Sequence, residues 1–216
     1  MRIPTLCALF LVLAQAALAQ TLQVPATGGP VTIDGKLDES AWQGAAVLPL
    51  QNLDLGEPFP GGGEVRLMVS GSWLCLAARL PENGRVVARS TGRNPAWWRE
   101  DLLAWSFRFR PERDRNRSLV LIVNPLGGYR IDYSGATEEE TRVLGMAAAS
   151  IGQREWMVEA AVRIPGLAET GLFSVERVRV PRADAPELRW YWPAANERAE
   201  YMLAHDEGRS SPAFPE

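Results

Sequence analysis

The chain of 216 residues is poor in the side chains from which most catalytic and metal sites are built. It has one histidine, His205, one lysine, Lys36, and two cysteines, Cys7 and Cys75. A histidine-rich zinc site is excluded by this count, and a Ser-His-Asp or Cys-His site would need His205, which lies near the C-terminus. Cys75 stands among apolar residues of a predicted strand, where we expect a buried and unreactive thiol.

Apolar runs long enough to span a membrane are missing after the N-terminal segment. Residues 1–19 have the pattern of a secretory signal peptide. Arg2 precedes an apolar stretch, and Ala17-Leu18-Ala19 places small residues before a cleavage site at Gln20. We expect a secreted or periplasmic protein without a membrane anchor. Because Cys7 lies inside the signal, the mature chain could form no internal disulfide.

Excess positive charge is lacking as well. The chain has 23 basic and 26 acidic side chains, a formal net charge of −3, which argues against nucleic acid as a partner. The segment from Arg108 to Arg117 is a local exception, with five arginines around Glu112 and Asp114. Because acidic residues interleave with the arginines, the sequence favours a solvated hairpin tip over an anion-binding patch.

Apolar and polar residues alternate along most of the chain, with turn residues between the alternating segments. This period is typical of short strands with one buried face. We predict an all-β fold, an antiparallel two-sheet β-sandwich of the immunoglobulin-like or jelly-roll type, that spans residues 20–205. It should be a monomer, followed by a flexible tail at 206–216. The alternation fails between Val175 and Val178, where a bulge near Glu176-Arg177 would restore it.

Acidic residues near the start of this domain have a structural interpretation. Asp34-Gly35 fits a turn after a first strand, and Asp38 and Ser40 fit the start of a short helix that packs Trp42 on the core. Acidic residues are plentiful elsewhere, so a carboxylate pair for glycoside cleavage stays open. The sequence nevertheless offers poor material for an enzyme, and we assign no catalytic residues.

Eight tryptophans are the chemical resource that the sequence does have. Trp105 and Trp156 fall on the apolar faces of predicted strands, which indicates the core. Trp97 and Trp98 follow a proline and precede charged residues, so they belong to a polar loop. An indole ring there either folds back under the structure or forms a platform for the apolar face of a sugar ring.

Several motifs occur in an order that resembles the family-9 carbohydrate-binding modules and their DOMON-like relatives. Val31 to Trp42 resembles the opening "I-D-G-x-L-D-E-x-x-W". Asn94 to Asp101 resembles "N-P-W-x-x-D", and Trp156 to Pro165 resembles "g-W-x-v-E-a-a-I-P". The resemblance implies an extracellular β-sandwich that binds sugars and is often attached to enzymes of polysaccharide catabolism.

The resemblance also implies which residues would bind a glycan or oligosaccharide. Aligning on Asp101 gives the stacking role to Trp98, and the second stacking tryptophan of the family is nearest to Trp192. The full set of candidates is Trp98, Trp97, Trp192, Arg99 and Asn196.

Two positions depart from the family pattern. Members with a characterised sugar site have a glutamate and an arginine where this chain has Ala104 and Ile122. The leading interpretation is a non-catalytic carbohydrate-binding module without a cofactor, although Asp101 and the carboxylates near it could bind calcium. One alternative is an interaction or structural sandwich that has lost its sugar site. Another is a DOMON-type haem or redox domain, which would need His205 as an axial ligand.

Overall fold

Twelve strands and one 3-10 helix make up the regular structure of the residues that the computed structural model describes. Those residues are 21–27, 29–52, 61–93, 99–109, 118–137, 144–163, 170–183, 186–193, 199–204 and 212–213. The helix is Ser40–Gly44. The strands are β1 Thr21–Val24, β2 Ala46–Pro49, β3 Glu64–Ser70, β4 Trp73–Pro81, β5 Leu102–Phe109, β6 Ser118–Val123, β7 Tyr129–Tyr133, β8 Gly145–Ile151, β9 Glu155–Arg163, β10 Thr170–Arg179, β11 Leu188–Trp192 and β12 Ala199–Leu203.

The strands form two sheets. The larger has the order β1-β12-β10-β5-β6-β7, with β11 paired to the second half of β10. The smaller has the order β2-β3-β4-β9-β8. All of these pairings are antiparallel except that of β1 with β12. The predicted antiparallel two-sheet sandwich is confirmed.

Alternating side chains of both sheets fill the space between them. Trp105 on β5 and Trp156 on β9 are completely buried there, as their positions on apolar strand faces predicted. Phe107, Phe173 and Tyr201 pack against one another in the same layer, with ring centroids 4.8 and 5.9 Å from that of Phe107. In the described part of the chain, no helix is long and apolar enough to cross a membrane.

A second core lies on the outer face of the smaller sheet, where the opening segment crosses it. Val31, Ile33 and Trp42 pack against sheet residues that include Met68 and Cys75. Cys75 is fully buried, and this burial raises the pKa of its thiol to about 12. The predicted helix that packs Trp42 on the core and the predicted buried thiol are both confirmed.

Glu159 attaches this opening segment to the sheet. Its carboxylate accepts hydrogen bonds from the Trp42 indole Nε1 at 2.8 Å and from the backbone N–H groups of Asp34 and Gly35 at 3.0 and 2.9 Å. Gly35 has a φ of +86°, and a Cβ there would lie 2.7 Å from the backbone of Ala149. The Asp-Gly turn of the motif is therefore required both by its conformation and by its close approach to β8.

Two sequence expectations differ from the structure. β10 pairs with β5 in unbroken register from Gly171 to Val178, so the predicted bulge near Glu176-Arg177 is wrong. Alternation persists because Arg177, 2% exposed, occupies the inward position. In the segment predicted as a flexible tail, Ala213 exchanges backbone hydrogen bonds with Val31 and Ile33 at 2.7 and 2.9 Å, so the chain is tied to the fold at that residue. The predicted signal peptide, residues 1–19, lies outside the described residues.

Glu159 should make stability depend on pH. Burial raises the pKa of its carboxyl to about 7, the charge of Glu39 adds to the rise, and the three hydrogen bonds oppose it. A carboxyl whose pKa is higher in the folded state stabilises the fold fully below its unfolded pKa, and this contribution is lost as pH rises through the folded value. Glu159→Gln should lower the free energy of unfolding by roughly 1–3 kcal/mol near pH 5, because the amide NH2 cannot accept a hydrogen bond, whereas the hydroxyl oxygen of a protonated carboxyl still can. The difference from wild type should shrink towards pH 8, as measured by urea unfolding.

Glu155 is the matched control on the same strand, with a side chain 33% exposed and a weak pairing to Arg79 at 3.9 Å. Glu155→Gln should change the free energy of unfolding by no more than about 0.5 kcal/mol. A wild-type advantage over Glu159→Gln that grows towards pH 8 would contradict the raised pKa, because it would make the charged carboxylate the stabilising form.

Candidate functional site

The outer face of the larger sheet presents ordered rows of side chains across its three central strands. β10, β5 and β6 pair in register, so every second residue of each strand points away from the core and lines up with its neighbours. From one end of the face to the other, the rows are Leu172–Arg108–Ser118, Ser174–Ser106–Val120, Glu176–Ala104–Ile122 and, at the last position, Val178 beside Leu102.

The two positions that depart from the family pattern are neighbours in this grid. Ala104 and Ile122 are direct cross-strand partners, so their substitution makes the centre of the face apolar. Ile122 is 7% exposed and belongs to a small apolar cluster with Leu102 and Val178, against which Val87 packs. The charge that remains in this row is Glu176, which accepts a hydrogen bond from Arg189 at 2.5 Å.

Asp101 fixes the chain just after the connection that carries Trp97 and Trp98. It is 2% exposed, and its carboxylate accepts hydrogen bonds from the backbone N–H groups of Val87 at 2.8 Å and Val180 at 3.0 Å. Arg182 adds an ion pair at 2.6 Å. The carboxylate proposed as a calcium ligand is thus already neutralised by protein donors. Across the described ranges, no three His, Cys, Asp or Glu side chains are grouped so that they could hold a metal ion.

Glu100, the residue before Asp101, attaches the chain to the turn between β6 and β7. It is 3% exposed and accepts hydrogen bonds from the Ser90 hydroxyl at 2.6 Å and from the Asn124 amide at 2.6 Å. Asn124 in turn accepts from the backbone N–H groups of Leu126 and Gly128. On the other side of the connection, the Tyr129 N–H donates to Gly92 at 2.9 Å. Both ends of the connection are therefore held against one turn.

A buried arginine, Arg177, stabilises the end of the sandwich where Asp101 lies. Arg177 donates hydrogen bonds to the carbonyl groups of Gly61, Gly62 and Pro81 at 2.5, 3.1 and 2.7 Å. Its guanidinium lies 3.5 Å from the Glu82 carboxylate and 4.7 Å from the centroid of the Trp190 ring. Burial lowers the pKa of Arg177 to about 10, while the charges of Glu82 and Asp101 raise it. The group stays cationic at neutral pH, and Glu82 also pairs with Arg179 at 3.1 Å.

The predicted sugar-binding residues do not all come together in the described structure. Trp97, Trp98 and Asn196 lie outside the described residues. Arg99 is exposed and directly precedes the buried Glu100. These placements leave a stacking role for Trp98 as a prediction.

Trp192 has a different environment from the one expected of a sugar platform. It pairs with Val175, an inward position of β10, and is 6% exposed. Its ring centroid lies 5.8 Å from that of Phe173 in the core between the sheets. The strand register turns the ring inward, and a stacking role for Trp192 stays a prediction. His205, the candidate haem ligand, lies outside the described residues.

Sequence reasoning missed Glu176, Arg189 and Glu82. Glu176 can be recognised only from the register of β10 against β5, because this register pairs it directly with Ala104 on the neighbouring strand. A signal for Glu82 was present, since arginines recur at 177, 179 and 182 and such a cluster needs acidic partners.

Comparison with known proteins identifies the fold. No protein-family model matches the sequence, and no curated protein matches it either. A proposed carbohydrate-binding protein from Bacteroides uniformis is similar in structure, with a TM-score of 0.65 and 14% identity over 86% of this chain and 99% of that one. A family-9 carbohydrate-binding module from Caldicellulosiruptor kristjanssonii, solved with cellotriose, has a TM-score of 0.60 and 14% identity over 91% of this chain and 100% of its own. The structure of a family-9 module from the same organism with glucose has a TM-score of 0.59 and 13% identity over 88% of this chain and 100% of its own. The chain therefore has the fold of family-9 carbohydrate-binding modules.

The buried position of Arg177 should make it costly to remove. Arg177→Met should lower the free energy of unfolding by about 3–5 kcal/mol, because three carbonyl groups and part of the Glu82 charge lose their donor. Arg189, whose side chain is 42% exposed, is the matched control. Arg189→Met should cost about 1 kcal/mol or less in the same urea titration. Equal losses for the two variants would show that the buried guanidinium adds no net stability.

Proposed function

We propose that the protein is a non-catalytic carbohydrate-binding module whose ligand is a glycan or oligosaccharide. The observation that carries the proposal is structural similarity over at least 86% of this chain and nearly all of each neighbour, two of which were solved with a bound saccharide. A fold does not by itself specify a binding site, so the site depends on this chain's own side chains.

The site we propose is the connection 94–98 together with the adjoining end of the outer face of the larger sheet. Trp98 supplies the stacking surface, with Trp97, Arg99 and Asn196 as neighbours that bind hydroxyl groups or shield the ring. Support comes from the anchors on both sides of the connection, which are Gly92 against Tyr129 and Glu100 against Asn124. A loop whose ends are fixed loses less conformational entropy when it binds a ligand.

Export and a link to polysaccharide catabolism belong to the same proposal. The pattern of residues 1–19 supports a cleaved signal peptide, and a module that binds glycans outside the cytoplasm would bring its ligand to degrading enzymes. The described residues supply no alternative chemistry from the thiol, since Cys75 is buried with a pKa near 12.

A second function is favoured by one observation. Ala104 and Ile122 make the centre of the outer face apolar, and Val87 and Leu102 pack beside them. A sandwich that has lost polar groups at this place could instead contact another protein through the same face. Binding to a glycan array distinguishes the two functions, because an interaction domain would bind no saccharide.

Trp98→Ala tests the stacking role. The variant should bind the best array ligand about 2 kcal/mol more weakly or worse, the loss typical of an aromatic anchor, and should unfold near the wild-type temperature. Trp105→Ala is the control for a core tryptophan, since Trp105 is fully buried and its removal should cost about 3–5 kcal/mol of stability. Calorimetric titration and thermal unfolding are measured for both.

Two results would contradict the stacking role. Trp98→Ala could bind the ligand as tightly as wild type, which would place the site elsewhere. It could also unfold as readily as Trp105→Ala, which would make Trp98 a core residue.

A further inference from the structure

A groove lies on the outer face of the larger sheet, at the opposite end of the strands from Asp101. It has a volume of about 290 Å³ and is lined by two complete rows of the grid, Leu172–Arg108–Ser118 and Ser174–Ser106–Val120. Three strands at the usual spacing and two rows along them give a floor of about 10 by 7 Å, the size of one sugar ring.

The lining of this groove is suited to a saccharide. The hydroxyl groups of Ser106, Ser118 and Ser174 can donate and accept hydrogen bonds, and none of them is bonded to another described residue. Val120 and Leu172 are half-buried and offer an apolar surface between the hydroxyls. Polar groups around a small apolar floor match a ring whose edge carries hydroxyls and whose face carries C–H groups.

Arg108 adds a charge to the groove. Its side chain is exposed and forms no ion pair with the described residues. The half-buried arginines Arg130 and Arg189 on the same face, by contrast, pair with acidic side chains. Of the acidic residues on this face, Glu200 lies two strands from Arg108, and Asp132 is already bound to Arg130 at 2.8 Å. An anion at Arg108 would therefore meet a guanidinium whose charge no described carboxylate neutralises, in a chain that is negative overall.

We propose that this groove binds an anionic sugar unit, with Arg108 on its carboxylate or sulfate group and the three serines on its hydroxyls. The inference rests on the proposed glycan-binding function and assigns it a substrate class, acidic polysaccharides. A guanidinium binds either anion through paired N–H groups, so carboxylate and sulfate share one recognition chemistry. Arg108 lies at the opposite end of β5 from Asp101, so a glycan that contacts both the groove and the proposed Trp98 site has to span several sugar units.

The test compares matched saccharides by calorimetric titration with the mature protein. Galacturonate and glucuronate trimers are each measured beside their neutral methyl esters, and a 6-sulfated galactose trimer beside its unsulfated parent. In at least one pair, the anionic member should bind at least about tenfold more tightly than the neutral one. The pair that shows this preference distinguishes carboxylate from sulfate.

Arg108→Gln should remove that preference while it leaves the unfolding temperature near the wild-type value. Arg163→Gln, a change to an exposed arginine at the end of β9 in the other sheet, should retain the preference. The inference is overturned if no pair shows a preference, or if the preference persists in Arg108→Gln.

The same titrations distinguish failure of the groove assignment from failure of the proposed glycan-binding function. Neutral saccharides that bind through Trp98 without any anionic preference would overturn the groove assignment alone. If no saccharide binds, neutral or anionic, the proposed function is wrong and the groove assignment with it.

Discussion

The end of the sandwich next to the candidate site depends on buried carboxylates that are fully matched by donors. Glu82, Glu100 and Asp101 are each no more than 6% exposed, and each is bound by arginines, an amide or backbone N–H groups. A buried carboxylate without such partners would cost several kcal/mol, so removing one donor destabilises the acid it served. This matching fixes the chain at Glu100 and Asp101, directly after residues 94–99.

The main features of the fold could be predicted from the sequence because they depend on period. Alternation placed Trp105 and Trp156 in the core and Cys75 in a strand, and all three are completely buried. The same reasoning failed at Arg177, because a pattern of apolar residues treats arginine as outward-facing. Here Trp190 and three carbonyl groups stabilise the guanidinium inside. The candidate site was less predictable from the sequence. The direction in which the Trp192 ring points and the pairing of Glu176 with Ala104 both depend on strand register, which the pattern of residues does not show.

One face of the larger sheet has two chemically different regions. Near Asp101 its centre is apolar, where Ala104 faces Ile122, whereas the far end has serine hydroxyls around Arg108. Family-9 modules solved with cellotriose or glucose share the fold at 13–14% identity, and a shared fold does not determine which side chains lie on this face.

The most direct measurement of the central claim is an NMR titration of the mature, ¹⁵N-labelled protein with the tightest-binding saccharide of the array. If the glycan binds on the outer face of the larger sheet, amide shifts should change at Arg99, Ala104, Ser106 and Val120, and the indole N–H of Trp98 should shift with them. Amides of the smaller sheet, such as those of Leu76 and Val158, should stay in place. Shifts confined to the smaller sheet, or no shifts at saturating saccharide, would contradict the account.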